Sequence, residues 1–228
     1  MTLHKMLSGL QAYLSRCVIA GALMSLSTLA IADAYDDFML SVKFNDVSSV
    51  QKQLRKGMDP NSVEALRGET VMMIALREKS TQVFSLLLAQ PEIKLEARAN
   101  NGDTALMIAS FMGNLAAVNQ LIAAGAELNR PGWTALHYAA ANGDSKVISV
   151  LLAHSAYIDA QSPNKTTPLM MAVRSGKILA VQLLLSEGAD IRAKNELGMT
   201  AFDFAMQFEQ KEIAEYLQSS TQSKTQTR

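Results

Sequence analysis

Apolar residues come in short bursts along this chain, and the bursts repeat. Five of them open on a threonine: Thr70-Val71-Met72-Met73-Ile74-Ala75, Thr104-Ala105-Leu106-Met107-Ile108-Ala109, Thr134-Ala135-Leu136-His137-Tyr138-Ala139, Thr167-Pro168-Leu169-Met170-Met171-Ala172 and Thr200-Ala201-Phe202-Asp203-Phe204-Ala205. The threonines are 34, 30, 33 and 33 residues apart. A second apolar run follows each of the middle bursts, as in Val118 to Ile122, Val147 to Leu152 and Val181 to Leu185. A period of this length marks a stack of supersecondary units.

One unit shows the physics. Thr167 is placed to cap a helix, because its hydroxyl can accept a free backbone N–H, and Pro168 suits the first helical position, where no N–H is needed. Leu169, Ala172 and Val173 then share one face. Gly176 breaks the helix. Leu179 to Ser186 forms a second helix with Leu183, Leu184 and Leu185 on a broad apolar side. Gly188 ends it in the left-handed conformation, as Gly125 does one unit pair earlier. Ala189 to Gly198 is the connector, with Asn195 and Gly198 as turn residues. A single helix pair cannot bury its apolar faces, whereas several stacked pairs can.

The motif Gly132-Trp133-Thr134-Ala135-Leu136-His137-Tyr138-Ala139-Ala140 and the ending Leu184-Leu185-Ser186-Glu187-Gly188-Ala189-Asp190 resemble the ankyrin repeat. The likeness covers about residues 36–217. It implies an all-α solenoid of about five helix-turn-helix repeats with short hairpin-like connectors, plus a degenerate N-terminal unit ending in Leu54 to Asn61. Asp36 to Phe44 is expected to be that unit's first helix. The expected units run over about 33–66, 67–100, 101–130, 131–163, 164–196 and 197–218. The last is a C-terminal cap with Glu209, Gln210, Lys211, Glu212 and Glu215 on a polar outer face, and the polar residues 219–228 form a disordered tail.

Departures from the family pattern carry information. The connector at Asn129-Arg130-Pro131-Gly132 lacks three residues, so that finger is expected to be short. An extra residue lies near Pro91-Glu92-Ile93. Ser155 stands where the family has a helix-ending glycine, and Lys165 replaces a turn glycine. A left-handed Ser155 costs up to about 1 kcal/mol relative to glycine, which marks residues 155–166 as the softer part of the array.

The first 32 residues read differently. Lys5 and Arg16 precede an uncharged, mostly apolar run from Cys17 to Ile31, which ends in Ala30-Ile31-Ala32 before Asp33. A basic start, a short apolar run and small residues three and one before a cut make a secretory signal peptide (residues 1–32), with cleavage after Ala32 and a second choice after Ala34. The run is shorter than the ~20 residues that span a bilayer, so an uncleaved anchor is the lesser alternative. The signal type points to the general export route into a bacterial periplasm, with eukaryotic secretion still open. Cleavage removes Lys5 and Arg16 from the 21 basic residues, leaving 19 against 21 acidic, a net charge of −2. It also removes Cys17, the one cysteine. Cys17 lies at the head of the apolar run, directly after Arg16, the wrong place for lipidation. The mature chain then has no thiol chemistry, and its stability comes from packing.

The charge balance argues against nucleic acid as a partner. Hydrophobic residues make up 49% of the chain and aromatics 6%, a balance that suits packed helices over a sheet sandwich. His137 matches the family's structural histidine, which bonds backbone between units, and His154 reads as solvated. No glycine loop for phosphate, no cysteine–histidine spacing and no nucleophile–base pattern stands out. No cofactor is expected, and the chain reads as a non-enzyme. The 13 methionines leave one remote alternative, copper(I) held by thioethers. Met73, Met107 and Met170 recur at the position of His137. Equivalent positions on packed helices lie ~8–10 Å apart, whereas ligands on ~2.3 Å bonds sit about 4 Å apart. Gap-filling between helices is therefore the preferred reading.

Recognition remains. The resemblance implies a concave binding surface made of the fingers and the first helix of each pair. The fingers contribute Arg67, Glu69, Asn101, Asp103, Arg130, Trp133, Asn164, Thr166 and Met199. The first helices contribute Arg77, Phe111, Met112, Asn142, Arg174 and Gln207. Phe111, Met112 and Trp133 are expected to form an apolar centre flanked by Arg77, Arg130 and Arg174, with Asp103 and Asn142 nearby. Thr104, Thr134, Thr167, His137, Gly125 and Gly188 are expected to be structural. The function expected is protein binding outside the cytoplasm by a monomer that leaves the membrane after cleavage. An accessory factor for an exported enzyme and a host-directed effector are the alternatives.

Overall fold

The computed structural model describes residues 33–226. The expected signal segment, and with it Cys17, lies outside the described residues. Twelve helices form six antiparallel pairs among the described residues. α1 covers 33–43 and α2 Val47–Arg55. α3 (Val71–Arg77) pairs with α4 (Thr81–Leu88), and α5 (Ala105–Phe111) with α6 (Leu115–Ala123). α7 (Ala135–Asn142) pairs with α8 (Ser145–Ala153), α9 (Pro168–Arg174) with α10 (Ile178–Ser186), and α11 (Ala201–Gln207) with α12 (Lys211–Gln226). First helices pack on first helices and second on second: α3 on α5, α5 on α7, α7 on α9, α9 on α11, and α6, α8 and α10 in a parallel row. The molecule is a solenoid.

The threonines start the first helices as the sequence requires. The hydroxyls of Thr70, Thr104, Thr167 and Thr200 accept the backbone N–H three residues on, at 3.3–3.4 Å. Pro168 is the first residue of α9. Second helices that lack a threonine use Asn114 and Asp144 instead, at 3.1 Å to the N–H of Ala117 and Val147. Each cap satisfies a donor that the helix itself cannot. Leu106, Leu136 and Leu169 from first helices and Val118, Val147 and Val181 from second helices are fully buried, in one core running the length of the stack.

Ser155 has φ +66° and Lys165 φ +59°, so both adopt the left-handed backbone expected from their positions. The turn at Ser155 also closes as its glycine counterparts do. Ala156 N–H donates to Leu151 O at 3.0 Å, and Ala126 and Ala189 donate to Leu121 and Leu184 at 2.9 Å. A serine has been fitted into a turn built for glycine.

One boundary differs from expectation. The polar tail after residue 218 is not a separate disordered segment from its start, because α12 continues to Gln226. Its sequence contains neither glycine nor proline to stop it. The Ser220 and Thr221 hydroxyls fold back onto the carbonyls of Tyr216 and Leu217, at 2.8 and 2.9 Å.

Candidate functional site

The concave face is built by columns of equivalent residues. The third residue from the turn of each first helix gives Arg77, Phe111, Ala141, Arg174 and Gln207. The residue before each capping threonine gives Glu69, Asp103, Trp133, Thr166 and Met199. What each position does depends on its neighbours in adjacent units.

Toward the N-terminal side the charged groups of the columns satisfy one another, beside a pocket of about 210 Å³ that Glu64, Arg67, Glu69 and Arg77 help to line. Arg77 Nε donates to Glu69 Oε1 at 2.6 Å, and its Nη2 lies 3.9 Å from Asp103 Oδ2. Asn101 donates to the same Asp103 oxygen at 2.8 Å. The Tyr138 hydroxyl donates to the other oxygen of Asp103 from one unit further on. Glu69 and Asp103 are each only 4% exposed, so this is a satisfied internal network linking three units. Burial, followed by the bond to Asp103 and its charge, raises the pKa of Tyr138.

Toward the C-terminal side the columns open. A pocket of about 230 Å³ is lined by Phe111, Trp133, Tyr138, Ala141, Met171 and Arg174. It exists because Ala141 is the small member of its column, between Phe111 and Arg174. Phe111 is 48% exposed and meets the Tyr138 ring edge-on, with centroids 6.3 Å apart and planes at 84°. Trp133 stands edge-on to the His137 ring at 5.2 Å. The Arg174 guanidinium lies 5.4 Å from the centre of the Phe208 ring. Arg174 makes no ion pair among the described residues.

Three of the expected surface residues, Phe111, Trp133 and Arg174, therefore meet at one pocket. The others do not. Met112 packs, half-buried, against the core. Arg77 and Asp103 are taken up by the network. Arg130 is not a flanking surface cation: its side chain is 8% exposed and its Nη1 bonds Glu96 at 2.9 Å. The short finger pulls Arg130 back between units rather than out over the groove. Asn142 sits by the turn at Gly113, where an added Cβ would come within 3.0 Å of its Nδ2, and it does not line the pocket. Tyr138, Ala141 and Met171 are the pocket residues that sequence reasoning missed. The signal for Tyr138 and Ala141 was in the columns: a tyrosine one unit on from a buried aspartate, and an alanine between two large side chains.

His137 ties its own unit to the next. Its Nδ1 faces the Thr134 N–H at 3.2 Å and Oγ1 at 2.9 Å, and its Nε2 reaches Thr166 O at 2.9 Å in the next unit. With Nδ1 accepting a backbone N–H, the proton sits on Nε2 and donates to the carbonyl. Burial pushes its pKa down to about 4, against the opposing pull of the Thr166 and Ala160 backbone. The position is differently filled elsewhere. Met170 sulfur accepts the Thr167 N–H at 3.5 Å, and Asp203 accepts the Thr200 N–H at 2.7 Å. Met73, Met107 and Met170 are all buried, as gap-filling side chains between helices are.

A solenoid of helix pairs with an open concave groove defines a repeat-type recognition protein. The family model described as "Ankyrin repeats (3 copies)" matches residues 38–132, 113–195 and 136–228. The chain belongs to the ankyrin-repeat family. It is similar to Transient receptor potential cation channel subfamily A member 1 of Homo sapiens, at 29% identity over 73% of this chain and 16% of that protein. It is also similar to Nuclear factor NF-kappa-B p105 subunit of Gallus gallus, at 27% identity over 80% of this chain and 19% of that protein. A third relative is SH3 and multiple ankyrin repeat domains protein 2 of Homo sapiens, at 30% identity over 75% of this chain and 10% of that protein. The chain spans less than a fifth of the length of these relatives. Repeats of this family generally mediate protein–protein interaction, and no described helix is long and apolar enough to cross a membrane.

Proposed function

We propose that this chain is a non-catalytic protein-binding module that acts outside the cytoplasm, in a periplasm, through the concave pocket at Ala141. The observation that carries the binding site is the meeting of Phe111, Trp133 and Arg174 around a small residue on an open groove. A half-exposed phenylalanine beside a tryptophan and an arginine has the make-up of an interface anchor. Export rests on the sequence of residues 1–32: Lys5 and Arg16, the apolar run, and Ala30-Ile31-Ala32 before Asp33. A monomer presents this groove without further assembly.

Two measurements test the proposal. A photo-crosslinking residue at position 111 should capture a defined protein in cells that make the full chain. The same residue at the exposed position 119 on α6, a second helix, should not capture it. Equal capture from both positions would remove the groove as the binding surface. For export, N-terminal sequencing of the chain recovered from the extracytoplasmic fraction should begin at Asp33. An intact N-terminus on a membrane-bound form would contradict cleavage.

A further inference from the structure

The two sides of the groove each carry a pocket of similar size but differ in charge. On the N-terminal side Arg67 and Arg77 are matched by Glu69 and Asp103. On the C-terminal side Arg174 borders the pocket with no carboxylate in ion-pair range among the described residues. The ring of Phe208 supports its flat guanidinium from one side, which leaves its N–H edge as an oriented donor. The pocket itself, at about 230 Å³, is smaller than the ~300–1,000 Å³ of a typical small-molecule site. Its size suits one large side chain, and its walls are mainly apolar: Phe111, Trp133, Ala141 and Met171, with the Arg174 guanidinium at the edge and the Tyr138 hydroxyl committed to Asp103.

From this juxtaposition, and resting on the reading of the groove as a partner-binding surface, we infer that the occupant is a linear segment of a partner protein that puts one large apolar side chain into the Ala141 pocket and a neighbouring carboxylate onto Arg174. The segment is polar in direction. Its carboxylate lies toward α9, because on the other side the buried carboxylate of Asp103 already holds the cations and hydroxyl around it and would repel a second acid. Ala141 sets which anchor fits, Arg174 selects the acid, and Tyr138 is a positioning residue whose bond to Asp103 fixes the wall against which the anchor rests.

Trp133 is the only tryptophan of the chain and lines the pocket, so its fluorescence reports occupancy directly. The probes are N-acetyl-leucyl-aspartyl amide, the isosteric asparaginyl amide and the lysyl amide, titrated against the full chain. Ligands of this size are expected to bind at about millimolar concentration. The aspartyl probe should bind about tenfold more tightly than the asparaginyl probe, the usual scale of one charge-assisted contact, and the lysyl probe more weakly still. Added salt should shrink the aspartyl preference. Arg174→Gln, with an unchanged unfolding midpoint, should make the aspartyl and asparaginyl probes equal. Ala141→Leu, which fills the pocket, should abolish the response to all three. Equal binding of the aspartyl and asparaginyl probes to the unaltered chain would overturn the acid assignment while leaving the groove reading intact. A response to all three that survives Ala141→Leu, or no response to any of them, would overturn the pocket as well.

Discussion

Arg77 and Arg174 occupy the same position in two units, three repeats apart, and have opposite fates. Arg77 looks across at Glu69 and Asp103 and is consumed in holding them. At the repeat positions equivalent to Glu69 and Asp103, Arg174 has Thr166 and Met199, which offer no charge, and it lies over Phe208 at the edge of an open pocket. The helix position is the same, so the finger residues decide. A carboxylate before the capping threonine turns a groove arginine into a structural tie. A neutral residue there leaves it free for a partner. The charges in one half of the groove are thereby matched internally, and the other half keeps an arginine with no ion pair among the described residues.

The largest effect that sharpens this contrast is the core control. Leu136 is buried in the core, and Leu136→Ala should lower the unfolding free energy by about 2–5 kcal/mol in denaturant titrations. Phe111→Ala should cost far less, because its ring is half-exposed, yet weaken partner binding by about 1–3 kcal/mol. Equal destabilisation by the two substitutions would make Phe111 core and close the open half.

Next in size is the seam between the units of Thr134 and Thr166, which His137 closes. His137 has its folded pKa depressed to about 4, below the ordinary value near 6.5. The unfolded chain therefore binds the proton first as pH falls, and stability rises with pH through this window. The contribution is complete above about pH 6.5 and is lost as pH falls toward 4. Between pH 7 and pH 5 the loss should be about 2 kcal/mol, measured as unfolding free energy against pH. His137→Gln should flatten that slope. A slope that persists in the variant would assign it to other groups. Asp46, held down to about 2 by Ser49 and Ser48, contributes only at lower pH.

The comparison itself is broken or upheld by a pair of substitutions. Arg77→Met leaves two buried carboxylates without their cation and should destabilise by about 1–3 kcal/mol. Arg174→Met should change stability by no more than about 0.5 kcal/mol, as for a surface residue. Similar losses from the two would mean that both halves are structural. Smallest is Ser155→Gly, which relieves a left-handed serine at φ +66° and should stabilise by a few tenths up to about 1 kcal/mol. A destabilised variant would show that the Ser155 hydroxyl or Cβ makes contacts that outweigh the backbone strain.

The repeat architecture was legible because it is written locally. A capping threonine, a proline at the first helical position and a turn residue each act within a few neighbours, and even the left-handed Ser155 and Lys165 follow from their place in the period. The site was only partly legible. Phe111, Trp133 and Arg174 could be assigned to the concave face from their repeat positions. Their meeting at a pocket depends on Ala141 being small, and the loss of Arg77 and Arg130 depends on Glu69 in Arg77's own unit and on Asp103 and Glu96 in neighbouring units. Apart from the Arg77–Glu69 bond, such pairings cross from one repeat to the next, joining residues as far as 35 positions apart. The helix beyond residue 218 was missed for another reason: polar composition argues for disorder, but nothing in the sequence to Gln226 stops a helix already started by Ile213 and Leu217.

The central claim, that the open half of the groove at Ala141 is where a partner docks, is tested most directly by Ala141→Leu in the chain that carries the photo-crosslinker at position 111. The added side chain grows into the pocket and not into the core, so the unfolding free energy should stay within about 0.5 kcal/mol of the parent. Capture of the partner should fall by about tenfold or more, the loss expected when a hot-spot pocket is filled. Undiminished capture by a fully folded Ala141→Leu chain would contradict the account.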